Sequence, residues 1–93
     1  MPLRKYVLDG NSIRSARDFY DAIVKAMPLP DHFGRNLDAL ADALTTDVDG
    51  PFEIVWEHSD TSKKAMKHDY AAISAVLKHV AAERNDARVT FRQ

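Results

Sequence analysis

Three short apolar runs, each separated from the next by sequence of helical character, constrain this 93-residue chain more than any other feature. The clearest is Phe52-Glu53-Ile54-Val55-Trp56, which is β-branched or aromatic almost throughout and reads as a largely buried strand. Tyr6, Val7 and Leu8 form an earlier run, closed by the turn-like Asp9-Gly10-Asn11. Near the carboxyl end, Val89 and Phe91 alternate with Arg88, Thr90 and Arg92 and give the third. Strands divided by helix-length connections pair in parallel through crossovers, and such crossovers are nearly always right-handed. If the strands lie in sequence order, both crossovers advance the same way and every helix lands on one face. The expectation is a small two-layer α/β domain comprising the whole chain, 1–93. Its parallel sheet has three strands, near residues 4–8, 52–57 and 87–92, with helices packed on one face.

The connections carry their own signals. Ser15, with Asp18 three residues later, marks a helix start related to the capping box. Ala16, Phe19, Tyr20, Ile23, Val24 and Met27 then line one face, which places Tyr20 in the core rather than in a chemical role. Pro28 and Pro30 end that helix, since neither has a backbone N–H to donate. After the second strand, Ser59 or Asp60 is the expected cap of a brief helix through Lys63, Lys64 and Met66. Asp69 opens the longest periodic stretch, with Tyr70, Ile73, Val76, Leu77 and Val80 on one face, and Asn85-Asp86 stops it.

The remaining connection, Leu29 to Thr46, is LPDHFGRNLDALADALTT. Pro30 and Gly34 bracket a loop carrying Asp31, His32 and Phe33, and Asn36 stands where a helix cap belongs. Leu37, Leu40, Ala41 and Leu44 make an apolar stripe, which leaves Asp38, Asp42 and Thr45 on the wet face. Asp38 has a purely structural reading, as a first-turn carboxylate with Arg35 three residues back. Asp42 lies past the reach of the helix dipole and has no basic residue three or four positions away. Two like charges one turn apart work against an isolated helix, so their presence points to use elsewhere. From Leu29 to Gly50 there are five acids against one base, while the rest of the chain holds nine acids and twelve bases. Acidity is concentrated here, as on a surface that meets a basic partner.

The run LPDHFGRNLDALADALT, followed by the strand FEIVW and a final helix and strand from about Ala71 to Phe91, resembles the barstar family of intracellular ribonuclease inhibitors. The likeness covers nearly the whole chain, and LPxxxGxNLDAL is far more specific than a lone short motif. It implies the same two-layer α/β fold. It also implies a protein antidote that covers a ribonuclease's basic active-site cleft with the second helix and its preceding loop. Asp38 and Asp42 match the two aspartates that the family presents from that helix, Asp42 being the one that reaches deepest. Other contact positions depart from barstar. His32 stands where barstar has a tyrosine and Ala41 where it has a tryptophan. Thr46 and Asp47 replace a glycine and a tryptophan, and His79 replaces a glutamate. The implied partner-binding set is therefore His32, Asp38, Ala41, Asp42, Thr46, Asp47 and His79, and the departures point to a nuclease other than barnase, or to a relative of it. The alternative is a barstar-fold immunity or regulatory module whose partner is not a ribonuclease.

Other function classes find little support. Asp38 and Asp42 lie on a convex helix face with no apolar pocket to separate their protonation, so they make a poor acid–base pair. No two of His32, His58, His68 and His79 stand at the i, i+4 spacing of a helical metal pair, and three glycines form no phosphate-binding loop. The expectation is a protein without catalytic residues, metal or other cofactor. Lys63, Lys64 and Lys67 read as a solvated helix face rather than a nucleic-acid site, and a net charge of −1 gives no general attraction to nucleic acid or anionic membrane. Cysteine is absent, and the amino-terminal residues lack the apolar run of a signal peptide. A cytoplasmic protein that is monomeric when free is expected.

Overall fold

A computed structural model describes residues 2–93 of the chain. Strand β1 (Arg4–Asp9) leads through a 3-10 turn at Gly10–Ser12 into helix α1 (Ala16–Ala26), and a loop then enters helix α2 (Leu37–Asp42). A single π turn, Ala43–Asp47, extends α2. Strand β2 (Phe52–Glu57), helix α3 (Ser59–Met66), helix α4 (His68–Glu83) and strand β3 (Ala87–Phe91) complete the order. The sheet runs β1-β2-β3 with both pairings parallel, so the chain is an α/β protein of the expected topology.

Register explains the layering. Tyr6, Ile54 and Val89 lie side by side, as do Leu8, Trp56 and Phe91. These residues share one face with Phe52, and there Leu8, Phe52, Ile54 and Trp56 are fully buried. Against them pack Phe19 and Ile23 of α1, Leu40 of α2, and Ile73, Leu77 and Val80 of α4. Phe19 stacks on the Trp56 indole at 5.2 Å, while Tyr70 and Phe91 approach the same ring from other sides. Burying a side chain of this size contributes roughly 1.5–3 kcal/mol, so the aromatic cluster is a principal anchor of the helical layer. On the opposite face Val7, in edge strand β1, is 55% exposed, while its neighbour Val55 in the central strand stays 4% exposed.

Local signals are mostly obeyed. The Ser15 hydroxyl accepts from the Asp18 N–H, and the Asp18 carboxylate accepts in turn from the Arg14 N–H. Two expectations need correction. The cap position of α3 is held by His58, in left-handed backbone with no side-chain cap bond, and Ser59 is buried instead. The apolar stripe of α2 is also rotated. Leu37 is 39% exposed and Ala41 half-buried, whereas Leu40, Ala43 and Leu44 are buried where α2 and its π turn meet α4. Leu40, Ala43 and Leu44 stand at i, i+3 and i+4, so the buried stripe keeps ordinary α spacing but is centred one position away from the expected Leu37, Leu40, Ala41 and Leu44.

Candidate functional site

Asn36 sets the start of the acidic helix. Its side-chain oxygen accepts from the Ala39 N–H at 2.8 Å, and its amide nitrogen donates to the Gly34 carbonyl at 3.3 Å. One residue therefore caps α2 and ties the preceding loop to it. A Cβ at Gly34 would sit 3.3 Å from the Ala39 Cβ, so this close approach of loop to helix favours glycine. Two further contacts hold the loop to α1. Phe33 packs on Tyr20 with ring centroids 6.1 Å apart, and the Arg35 guanidinium pairs with Asp21. Tyr20 is itself buried against Phe19, and burial, with the charge of Asp69, pushes its phenol above the usual range.

Arg35 is thus committed to α1 and not to Asp38. Asp38 and Asp42 are both exposed, and neither makes an ion pair or side-chain hydrogen bond among the described residues. The same holds for Asp31 and Asp47. The one base of this segment is neutralised elsewhere, and the carboxylates are left with their hydrogen-bonding capacity facing water.

The loop and the helix enclose a cleft of about 340 Å³. Pro30, His32, Phe33 and Gly34 form one wall; Ala39, Asp42, Ala43, Thr46 and Asp47 form the other. Four of the residues singled out from sequence (His32, Asp42, Thr46 and Asp47) therefore come together. Asp38 and Ala41 lie on the same helix outside the cleft wall. His79 is separate: it is exposed on α4, with Nε2 at 3.5 Å from the Glu83 carboxylate.

The π turn determines how the far wall is presented. Thr45 and Thr46 donate their hydroxyls to the carbonyls of Ala41 and Asp42, at 2.6 and 2.7 Å. These bonds supply donors to carbonyls at the point where the i→i+4 ladder gives way to the looser i→i+5 turn. The Thr46 hydroxyl proton is thereby engaged, so its oxygen is left to act as an acceptor. Phe33 and Ala39 are lining residues that sequence reasoning missed. Phe33 was detectable as the one aromatic side chain in the loop.

The convex, pocket-free face expected for both aspartates holds only for Asp38: Asp42 borders a concave, partly apolar cleft that also presents Asp47 and the His32 imidazole, because the loop folds back over the helix. The site suits recognition of a basic surface better than bond-making. Among the described residues, no three His, Cys, Asp or Glu side chains converge as metal ligands, and no helix is long and apolar enough to cross a membrane.

Comparison with protein families matches residues 3–93 to the family described as Barstar (barnase inhibitor). A protein of Bacillus subtilis (strain 168) named "Putative ribonuclease inhibitor YrdF" is 37% identical over 60 residues, which span 64% of this chain and 66% of that relative.

Proposed function

The chain belongs to the barstar family, and on that premise we propose that it is an intracellular protein inhibitor of a ribonuclease. Its loop at residues 30–34 and the exposed side of α2 cover the enzyme's basic active-site cleft. The observation that carries this reading is the cleft wall bearing Asp42 and Asp47, both without an internal partner among the described residues. Carboxylates free of internal partners take charge-assisted hydrogen bonds from the Arg, Lys and His side chains that otherwise hold RNA phosphates. Asp38 extends the acidic surface beyond the cleft, and His79 with Glu83 forms its rim on α4. Concentrated negative charge also speeds encounter with a basic enzyme, which suits an antidote acting before the enzyme reaches cellular RNA. The chain itself performs no catalysis in this role.

The test is capture by the immobilised chain from host lysate and secreted fraction, followed by mass spectrometry and an RNA-cleavage assay on what is captured. A basic nuclease in the eluate, inhibited by the parent chain and poorly by Asp42→Ala, is the expected result. Recovery of metabolic enzymes alone would sink the reading in favour of a regulatory module with a different partner.

A further inference from the structure

The Arg84 side chain, between α4 and β3, is only 15% exposed, and its bonds reach back across the chain. Nη1 donates at 2.8 Å to the carbonyl of Leu44, inside the π turn, and at 2.8 Å to the carbonyl of Val48, just beyond it. The opposite edge of the guanidinium grips Asp86 bidentately, Nε to Oδ1 at 2.8 Å and Nη2 to Oδ2 at 2.9 Å. Its face lies 5.0 Å from the centroid of the Phe52 ring. The surrounding backbone is closed around this group. The Phe52 N–H donates to the Asp86 carbonyl at 2.9 Å, and a Cβ at Gly50 would collide with the Asp86 carboxylate.

The last carbonyls of a helix have no partner within it, and single π turns recur at functional sites. Here two such carbonyls receive donors from a rigid planar fork whose other edge is fixed by a carboxylate. Thr46 and Asp47, which line the cleft, lie between the two clamped carbonyls. We propose that Arg84 is a positioning residue for the partner-binding surface, holding the π turn so that Thr46 and Asp47 keep their place in the far wall of the cleft. This rests on the protein-binding reading given above. No lysine substitutes for it, because an ammonium on a flexible stem does not reach two carbonyls and a carboxylate in one plane.

Charge gives the role a distinctive sign. Arg84→Ala makes the chain more acidic, and by long-range attraction alone it should associate with a basic nuclease at least as fast. A positioning role instead predicts a weaker complex through faster dissociation. The experiment measures association and dissociation rates for the parent, Arg84→Lys and Arg84→Ala. The ligand is the nuclease captured by the parent, with barnase as a second ligand. Amide hydrogen exchange is recorded on the free proteins in parallel.

The expected result is affinity reduced by about tenfold in both variants, residing in the dissociation rate. Exchange at residues 44–49 should rise about tenfold more than at residues 54–56 of the central strand. In double-mutant cycles Arg84→Lys should couple to Asp47→Asn and add independently to Asp38→Asn. Uniformly faster exchange, with affinity loss no greater than the unfolded fraction, would reduce Arg84 to a stability residue and overturn the proposal. So would unchanged dissociation from a nuclease that the parent binds. Failure of the parent to bind any nuclease would overturn the functional reading first, and this role with it.

Discussion

The indole N–H of Trp56 donates to the hydroxyl of Ser62 at 3.0 Å, with both side chains fully buried. The same hydroxyl donates onward to the Gly10 carbonyl at 2.9 Å, so one small side chain links β2, α3 and the turn after β1. Ser62→Ala leaves a buried donor and a buried acceptor without partners. It should destabilise the fold by about 1–3 kcal/mol. Urea denaturation followed by the fluorescence of Trp56, the one tryptophan, measures this directly. A midpoint unchanged from the parent would show that the linkage contributes nothing.

Asp42 and Asp38 should separate in binding. Asp42 lines the cleft and Asp38 does not, so Asp42→Ala should cost the complex at least about 2 kcal/mol and Asp38→Ala distinctly less. Neither change should alter the stability of the free fold by more than about 0.5 kcal/mol, since relief of the like-charge repulsion is offset at position 38 by loss of a favourable first-turn carboxylate. Titration calorimetry beside a denaturation curve checks both parts. Equal losses from the two variants would contradict this use of the cleft.

Acid should loosen the Arg84 clamp. The hydrogen bond from Arg84 holds the Asp86 carboxyl below its ordinary value of 3.8. Because the folded-state value is the lower one, this contribution to stability is fully present above the ordinary value. It disappears as pH falls through the folded value. Asp86→Asn should therefore be less stable than the parent near neutrality, with the difference shrinking toward pH 2. Urea midpoints across that range decide it, and a difference independent of pH would refute the linkage.

Lys67 joins α3 to α4 with φ 54° and ψ −114°, a conformation that side chains rarely adopt. Relief of backbone strain of about 1–3 kcal/mol outweighs the added chain entropy of glycine at about 0.5–1 kcal/mol. Lys67→Gly should therefore raise stability by about 1 kcal/mol. A lower thermal midpoint in the variant would refute this.

What the sequence determined by itself is whatever local chemistry encodes. Period-two and period-3.6 patterns located three strands and the helices between them, and crossover rules made the sheet parallel. Ser15 and Asn36 were legible as caps because a cap bond spans three residues. Asp38 and Asp42 were legible as exposed because their positions on the α2 helical wheel follow from spacing alone.

The tertiary structure decided the pairings between residues distant in sequence. Arg35 had Asp38 as a near neighbour, yet it pairs with Asp21, fourteen residues away, because the loop folds back along α1. The Ser62 bond to Gly10 spans 52 residues, and the Arg84 bonds to Val48 and Leu44 span 36 and 40. No periodicity records such contacts, since each depends on how two elements lie once the core has closed. The departure from α geometry at Ala43 belongs with them. Docking on α4 buries Ala43 beside Leu40 and Leu44 and leaves Leu37 in solvent, and the π turn that follows carries Thr46 and Asp47 to the cleft. The acidic residues were readable from composition and spacing; the cleft that joins four of the predicted positions exists only in the folded chain.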